Sequence, residues 1–330
     1  LIIIGGTWSH LPYKYQSYFI KRCFESADEF YHKPRLRNLS LKTAQKKNEG
    51  TKCRVIGITI ETRPDFINEK EIIRLRNLGV TRVELGVQSI YDDVLKKNIR
   101  GHTIETTKKA TQLLKDAGFK ICYHLMPNLP GSNLKRDEKM FEEIFRNSDF
   151  QPDLLKIYPC VVLKESALYN VWRQKKYKPY TNRQLINLLK KIKKIIPFYC
   201  RIQRLVRDIP SSSIIDGCKI SNLRQIIAAE MKKEGAECRC IRCREVRTEY
   251  SLEEKLFLFR QDYDASDGKE IFLSFEDKKR KKLHSLLRLR IPSKVFSDEK
   301  HFMPVLDQSA IIREVHTYGQ MIPVNEKNIA

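Results

Sequence analysis

Residues 57–65 read Gly57-Ile58-Thr59-Ile60-Glu61-Thr62-Arg63-Pro64-Asp65: a β-branched strand runs into a polar cluster and stops at Pro64. Alternation puts Ile58 and Ile60 on one face, free to enter a core, while Glu61, Thr62 and Arg63 gather at the strand's carboxyl end. Thr81–Ser89 (Thr-Arg-Val-Glu-Leu-Gly-Val-Gln-Ser) repeats the plan. The stretch between the two reads as a helix. Asn68 can cap it with Glu71 following, Ile72, Leu75 and Leu78 form an apolar stripe, and Gly79 ends it. Strand, helix, strand in that order is a βαβ unit, and ligands bind at the carboxyl ends of strands so connected.

The same rhythm extends outward. Leu1–Ile4 reads as a buried strand, followed by Gly5-Gly6-Thr7, whose glycines allow a ligand close to the backbone. Residues 13–31 look helical, with Tyr15, Phe19, Cys23 and Phe30 near one face, and the polar, basic residues 33–52 read as a mobile loop. Arg100-Gly101-His102-Thr103 leads into a helix closed by Gly118. The strand Phe119–Met126 then turns at Pro127–Gly131, a helix covers 137–146, and Leu154–Tyr158 is another strand. Thr181–Gln184 is a capping box for a long helix with Leu185, Leu188, Leu189, Ile192 and Ile196 on its apolar side. Over residues 1–205 this is the pattern of a parallel α/β barrel. The pattern breaks over residues 206–250, a linker that carries a cysteine cluster. From 251 to 330 a second fold is expected, an antiparallel sheet of strands Leu256–Phe259, Glu270–Phe275, Leu286–Ile291 and Ala310–Val315.

Composition sets the outer limits. The 330 residues are 41% hydrophobic, as in a globular chain. No apolar run approaches the roughly 20 residues of a membrane span, and no secretory leader is legible, so a cytoplasmic setting is expected. Leu1 lacks an initiator methionine before it, and the chain is expected to be a fragment. The net charge is +23, from 63 basic and 40 acidic residues. A Lys-rich surface of the thermophilic kind would pair its lysines with acids, and here the acids do not keep up, so a polyanion such as nucleic acid is the expected partner.

Nine cysteines without a leader suit a reducing compartment. Cys238, Cys240 and Cys243 form Cys-x-Cys-x2-Cys, flanked by Arg239, Arg242 and Arg244. Clustered thiols among cations favour thiolates and hence a metal. A tetrahedral zinc needs one ligand more than these provide, and an iron–sulfur cluster is the alternative occupant.

Laid out in order, Gly5-Gly6-Thr7, the Ile58–Asp65 strand end, Glu84-Leu-Gly-Val-Gln-Ser89, Arg100-Gly-His-Thr103, Met126-Pro-Asn-Leu-Pro130, Arg207-Asp-Ile-Pro210, the cysteine triplet and Ile312-Arg-Glu-Val-His-Thr-Tyr-Gly319 closely resemble the catalytic subunits of the Elongator family. The resemblance implies a radical-SAM barrel of the TIM-like parallel kind, here partial, then the cysteine linker and an incomplete α+β acetyltransferase domain of the GNAT type. It implies an enzyme that adds a carboxymethyl-type group to C5 of a tRNA wobble uridine, with S-adenosylmethionine (SAM), a 4Fe–4S cluster and acetyl-CoA. It favours zinc at the cysteines, and other Elongator subunits or self-association as further partners. The family's cluster cysteines are expected upstream of Leu1 and its Gly-rich CoA loop after Asn328, so the fragment alone is expected to be inactive. A protein lysine acetyltransferase with the barrel as a tRNA- or partner-binding module is the alternative.

For SAM, the strand ends offer Gly5, Gly6 and Thr7 to the methionine moiety, Glu61, Arg63 and Gln88 to its polar groups or the ribose, and His124 and Met126 to the adenosyl group. Glu84 alternates with Leu85 and can point into the barrel, where a carboxylate needs a partner or a task. From the pattern alone, Glu61 and Arg63 suit a rim salt bridge and Met126 a core position better; the resemblance reverses that for Gly5, Gly6, Glu61 and Gln88. For tRNA, the basic candidates are Lys190, Lys191, Lys193, Lys194, Arg201, Arg204, Arg207, Lys278, Lys279, Arg280, Lys281 and Lys282, with Tyr158, Phe198 and Tyr199 as stacking neighbours. His316 and Tyr318 fall in the region the resemblance gives to acetyl-CoA.

Overall fold

A computed structural model describes residues 1–30, 39–207, 209–248, 251, 253–297 and 299–319. Four strands, β1 (Ile58–Thr62), β2 (Val80–Gln88), β3 (Lys120–Leu125) and β4 (Leu154–Ile157), lie side by side and parallel. A short β5 (Val162–Leu163) leaves the sheet, and β6 (Arg201–Arg204) joins it beyond β4, giving the order β1-β2-β3-β4-β6. On the other side, Ile2 bridges Thr59 in parallel, so the Leu1–Ile4 segment contributes a single bridge rather than a full strand. Each strand is covered by helices: α1 (Tyr13–Asp28), α2 (Leu41–Asn48), α3 (Glu69–Asn77), α4 (Asp92–Lys97), α5 (Ile104–Asp116), α6 (Leu134–Arg146), α7 (Ala167–Arg173) and α8 (Asn182–Ile195).

The caps read from sequence form. Asn68 accepts from the Glu71 amide, Thr103 from Thr106, and Thr181 with Gln184 makes a complete capping box. Two local expectations are corrected. Residues 41–48 are the helix α2, capped by Ser40, not a mobile loop; residues 31–38 lie outside the described residues. The buried face of α1 carries Gln16, Ile20 and Phe24, whereas Tyr15 and Phe30 are exposed.

Beyond β6 the chain stays on the barrel. Strand β7 (Ile214–Asp216) pairs with β5, and α9 (Leu223–Lys233) packs on α8. The short α10 (Ile241–Arg244) carries the chain to the antiparallel meander β8 (Phe257–Ala265), β9 (Gly268–Glu276), β10 (Leu283–Ile291) and β11 (Ile311–Thr317), ordered β11-β10-β9-β8. Ser266 and Asp267, both with positive φ (48° and 57°), make the β8–β9 turn.

The meander is polarised against habit. Its barrel-facing side buries Arg288, Arg290, Arg313 and Glu270, while its outer side shows Phe275, Ile312 and Val315. The buried charges are all answered. Arg313 grips both oxygens of Asp153 (2.7 and 2.8 Å) and donates to Glu270 and to the Phe119 carbonyl. Arg290 donates to Asp116 at 2.8 Å, and Arg288 to the Tyr199 carbonyl at 2.6 Å. These contacts bind the meander to the amino ends of β3, β4 and β6, leaving the carboxyl ends open.

Candidate functional site

Two adjoining pockets open at the carboxyl ends of the parallel strands. One, of about 220 Å³, is lined by Gly6, Thr7, Glu61, Thr62, Arg63, Gly86, Gln88, Arg100, His124, Met126, Tyr158 and Arg207. The other, of about 550 Å³, shares Gly6, Thr7, Glu61 and Arg63 and adds Gly5. Gly5, Gly6, Thr7, Glu61, Arg63, Gln88, His124 and Met126 therefore meet in one place. Glu84 does not line either pocket. It is 1% exposed and lies below, hydrogen-bonded by His124 and Lys156.

The local sequence explains the wall. Gly5 and Gly6 hold φ of 123° and 116°, values a side chain resists, so the loop after Ile4 exposes backbone to the pocket. Gln88 sits at φ 67°, where β2 breaks off. The Arg100–Thr103 motif packs against that end: His102 ring nitrogens lie 3.2 Å from the Val87 and Arg100 carbonyls. A Cβ on Gly101 would stand 2.7 Å from Arg63 Nη2, so glycine there leaves the guanidinium its place. Arg63 pairs with Asp65 (2.9 Å), not with Glu61.

The electrostatics are divided. Burial lowers the Arg100 pKa, the nearby Arg63 and Arg207 guanidiniums lower it further, and its Nε is buried without a hydrogen-bond partner. Three guanidiniums at one pocket suit an oxyanion. On the opposite wall, His124 lies between Glu61 and Glu84. Burial would lower its pKa, but hydrogen bonds with Cys122, Glu61 and Glu84 win and push it up to about 11. Burial likewise opposes ionisation of Glu84, yet His124 and Lys156 hold it down at about 2. Arg100 and Lys156 are not identified from sequence as site residues. A signal for Lys156 existed: a lone lysine in Leu154-Leu155-Lys156-Ile157, a strand with both faces covered, is costly unless paired.

The cysteine triplet lies elsewhere, beside α8. The Cys238, Cys240 and Cys243 sulfurs are all within 4.8 Å of one another. Their mutual hydrogen bonds push the Cys238 thiol up and Cys243 down, and Lys193 Nζ, 3.5 Å from Cys243 Sγ, favours the thiolate. Converging thiol donors of this kind fit a metal ion.

The basic candidates are dispersed. Lys193 is 1% exposed against the cysteines, because its face of α8 packs inward, so it is not a surface contact for a phosphate. Lys190 is also buried and donates to Glu230 and Glu234. Lys191 pairs with Glu138, Lys194 with Glu234, Arg201 with Glu245, Lys281 with Glu237 and Lys282 with Glu254. Arg280 lies over Phe198 (3.8 Å) and pairs with Glu276. Arg204 is partly buried, and Arg207 reaches the smaller pocket at the strand ends over Tyr158 (5.9 Å). Tyr199 is buried and stacked on Tyr263, which removes it as a platform for a base. No ion pair of Lys278 or Lys279 exists among the described residues. His316 and Tyr318 lie together at the end of β11, ring centroids 4.3 Å apart.

A parallel sheet with ligand pockets at its carboxyl ends agrees with the family profiles that match the chain: the Radical SAM superfamily over residues 15–144 and the Radical_SAM C-terminal domain over 152–233. The chain is 48% identical to the tRNA uridine(34) acetyltransferase of Methanocaldococcus infernus over 325 residues, 97% of this chain and 59% of that protein. It is 37% identical to Elongator complex protein 3 of Saccharomyces cerevisiae over 331 residues, 99% of this chain and 58% of that protein. The solved structure of the archaeal Methanocaldococcus infernus Elp3 with an N-terminus deletion superposes with a TM-score of 0.88 at 48% identity, covering 97% of this chain and 74% of that one. The chain belongs to the Elongator protein 3 / tRNA uridine(34) acetyltransferase family, and it spans about three fifths of the length of these curated relatives. No described helix is long and apolar enough to cross a membrane.

Proposed function

We propose that the protein carrying this chain is a radical-SAM tRNA-modifying enzyme that uses acetyl-CoA to add a carboxymethyl-type group to C5 of the wobble uridine. One observation carries the reading: glycine backbone, Glu61, Gln88, His124 and three arginines converge on pockets at the carboxyl ends of the barrel strands. The Gly5–Thr7 backbone suits the methionine moiety, Arg100 with Arg63 its carboxylate, Glu61 and Gln88 the ribose, and Met126 the adenine. The described pocket walls contain no cysteine, so the family's 4Fe–4S cluster would be held by cysteines from outside them. Bound there, cluster and SAM would supply an adenosyl radical; this chain's residues would bind, orient and shield the cofactor.

The meander would be part of a GNAT-type acetyltransferase domain, with His316 and Tyr318 near the acetyl-CoA site. Zinc would sit at Cys238, Cys240 and Cys243. Arg207, Lys278 and Lys279 would meet tRNA, with the α8 lysines and Arg280–Lys282 held by their acidic partners, and other Elongator subunits are further partners. The test is anaerobic reconstitution of the full-length protein with iron and sulfide, then mass spectrometry of tRNA nucleosides after adding SAM and acetyl-CoA. A uridine gaining the carboxymethyl mass only when both are present is the expected result. Unmodified tRNA with normal 5′-deoxyadenosine release would refute the acyl-transfer part.

A further inference from the structure

Beneath the pocket, four titratable side chains alternate in charge along a line that ends at its wall. Lys156 of β4 is 2% exposed and donates to Glu84 Oε2. The same oxygen accepts from His124 Nε2 at 2.7 Å. His124 Nδ1 lies 3.3 Å from Glu61 Oε1, and Glu61 lines the pocket. An ionised carboxylate only accepts hydrogen bonds, so a carboxylate at each ring nitrogen requires a proton on both. We propose that His124 is a positioning residue that fixes the Glu61 carboxylate against the pocket's ligand, and that the buried Glu84–Lys156 pair keeps its ring doubly protonated.

This rests on the reading of the pocket as the SAM site. There Glu61 accepts from the donors SAM offers, its ribose hydroxyls and α-ammonium. A pair needed only for the core would be complete as Lys156 and Glu84; it is the second contact of His124, outward to Glu61, that ties the pair to the pocket. The Glu84, Cys122 and His124 donor atoms also cluster within 4.8 Å, as metal ligands would. The Lys156 ammonium already bound to Glu84 opposes a divalent ion there. The groups facing His124 are Glu61 from β1, Arg82 and Glu84 from β2, Cys122 from β3, Lys156 from β4, and the Tyr158 ring at 5.4 Å.

The test uses the full-length protein, with S-adenosylhomocysteine as probe. Nitrogen NMR of the imidazole, without ligand, should find His124 doubly protonated in the wild type at about pH 8. The double variant Glu84→Gln/Lys156→Met removes both buried charges, so neither is stranded and folding is preserved. In it, His124 retains only Glu61 as a carboxylate partner and should lose a proton between about pH 6.5 and 8.5. Calorimetric affinity should be flat with pH in the wild type. In the double variant it should fall as pH rises, reaching roughly tenfold weaker binding at the alkaline end. A purely structural pair would lower the melting temperature without a pH-dependent affinity. A singly protonated wild-type His124, or a double variant with wild-type affinity and a flat profile, overturns the proposal. A wild type that binds no probe overturns the pocket reading and this role with it, and the ligand-free NMR tells that failure from a broken relay.

Discussion

At the residue scale, Gly6 separates two physical reasons for glycine. A Cβ built there meets nothing within 4 Å, so space is not the constraint; φ of 116° is. Gly6→Val should therefore act through the backbone: the loop relaxes to a negative φ and withdraws its amide from the pocket. Strain of this kind is worth about 1–3 kcal/mol. The expected outcome is S-adenosylhomocysteine binding weakened by tenfold or more, with a melting temperature close to wild type, measured by calorimetry and thermal unfolding. Wild-type affinity would take Gly6 out of the site. Gly5, Gly6, Glu61 and Gln88 were legible because polar residues and glycines that follow a β-branched run mark a strand's carboxyl end. Lys156 was not, because its task depends on Glu84 and His124, which come from two other strands and lie close only in the fold. Arg100 was hidden for a similar reason: its motif reads as a helix start, and only the packing of His102 on Val87 turns it inward.

At the element scale, the seam between barrel and meander buries charge alongside apolar side chains such as Phe272, Leu283 and Leu286. Burial would raise the Asp153 carboxyl, but Arg313, Lys115 and Arg288 hold it well below the usual carboxylate range. Glu270 is depressed by Arg313, Lys115 and Arg290 against the same burial, and Glu314 reaches about 2 beside Arg288 and Lys120. A depressed folded pKa contributes stability that is complete above the unfolded value, about 4, and is lost as pH falls through the folded one. Thermal unfolding followed against pH should therefore show a plateau near neutrality and a steep loss below about pH 4. Arg313→Met strands Asp153 and Glu270 and should cost about 3–5 kcal/mol. It should also flatten the fall in stability below about pH 4, because carboxyls whose folded pKa is no longer depressed by Arg313 lose less on protonation. A variant as stable as wild type, with the same acid profile, would show the seam to be held otherwise. Sequence alone supplied the antiparallel strands and their turns here. It could not supply the inverted polarity, because Arg288, Arg290 and Arg313 alternate with Leu289 and Ile312 just as residues of a solvent-facing sheet would.

At the scale of the whole molecule, the net charge of +23 leaves open where the unmatched cations lie. The α8 run, the most obvious in sequence, is locally balanced: Lys190 and Lys194 face Glu230 and Glu234, Lys191 faces Glu138, and Lys193 faces inward. Next to it, a cleft of about 1080 Å³ includes Lys232, Arg239 and Lys279, none of which has an acidic partner among the described residues. Counterion release depends on cations free to replace the ions around phosphate, so paired lysines add little. Each phosphate contact removed should flatten the dependence of log affinity on log salt by roughly 0.7–0.9. Two variants of the full-length protein decide between the surfaces. Lys191→Glu/Lys194→Glu should leave the slope for tRNA nearly unchanged. Lys232→Glu/Arg239→Glu/Lys279→Glu should flatten it by about 2 or more and weaken binding across tRNA species alike, because phosphates carry no sequence. Fluorescence anisotropy at several salt concentrations gives both slopes. The reverse order would place the RNA along α8, and equal slopes in both variants would leave Arg207, which lines the strand-end pocket, as the polyanion contact.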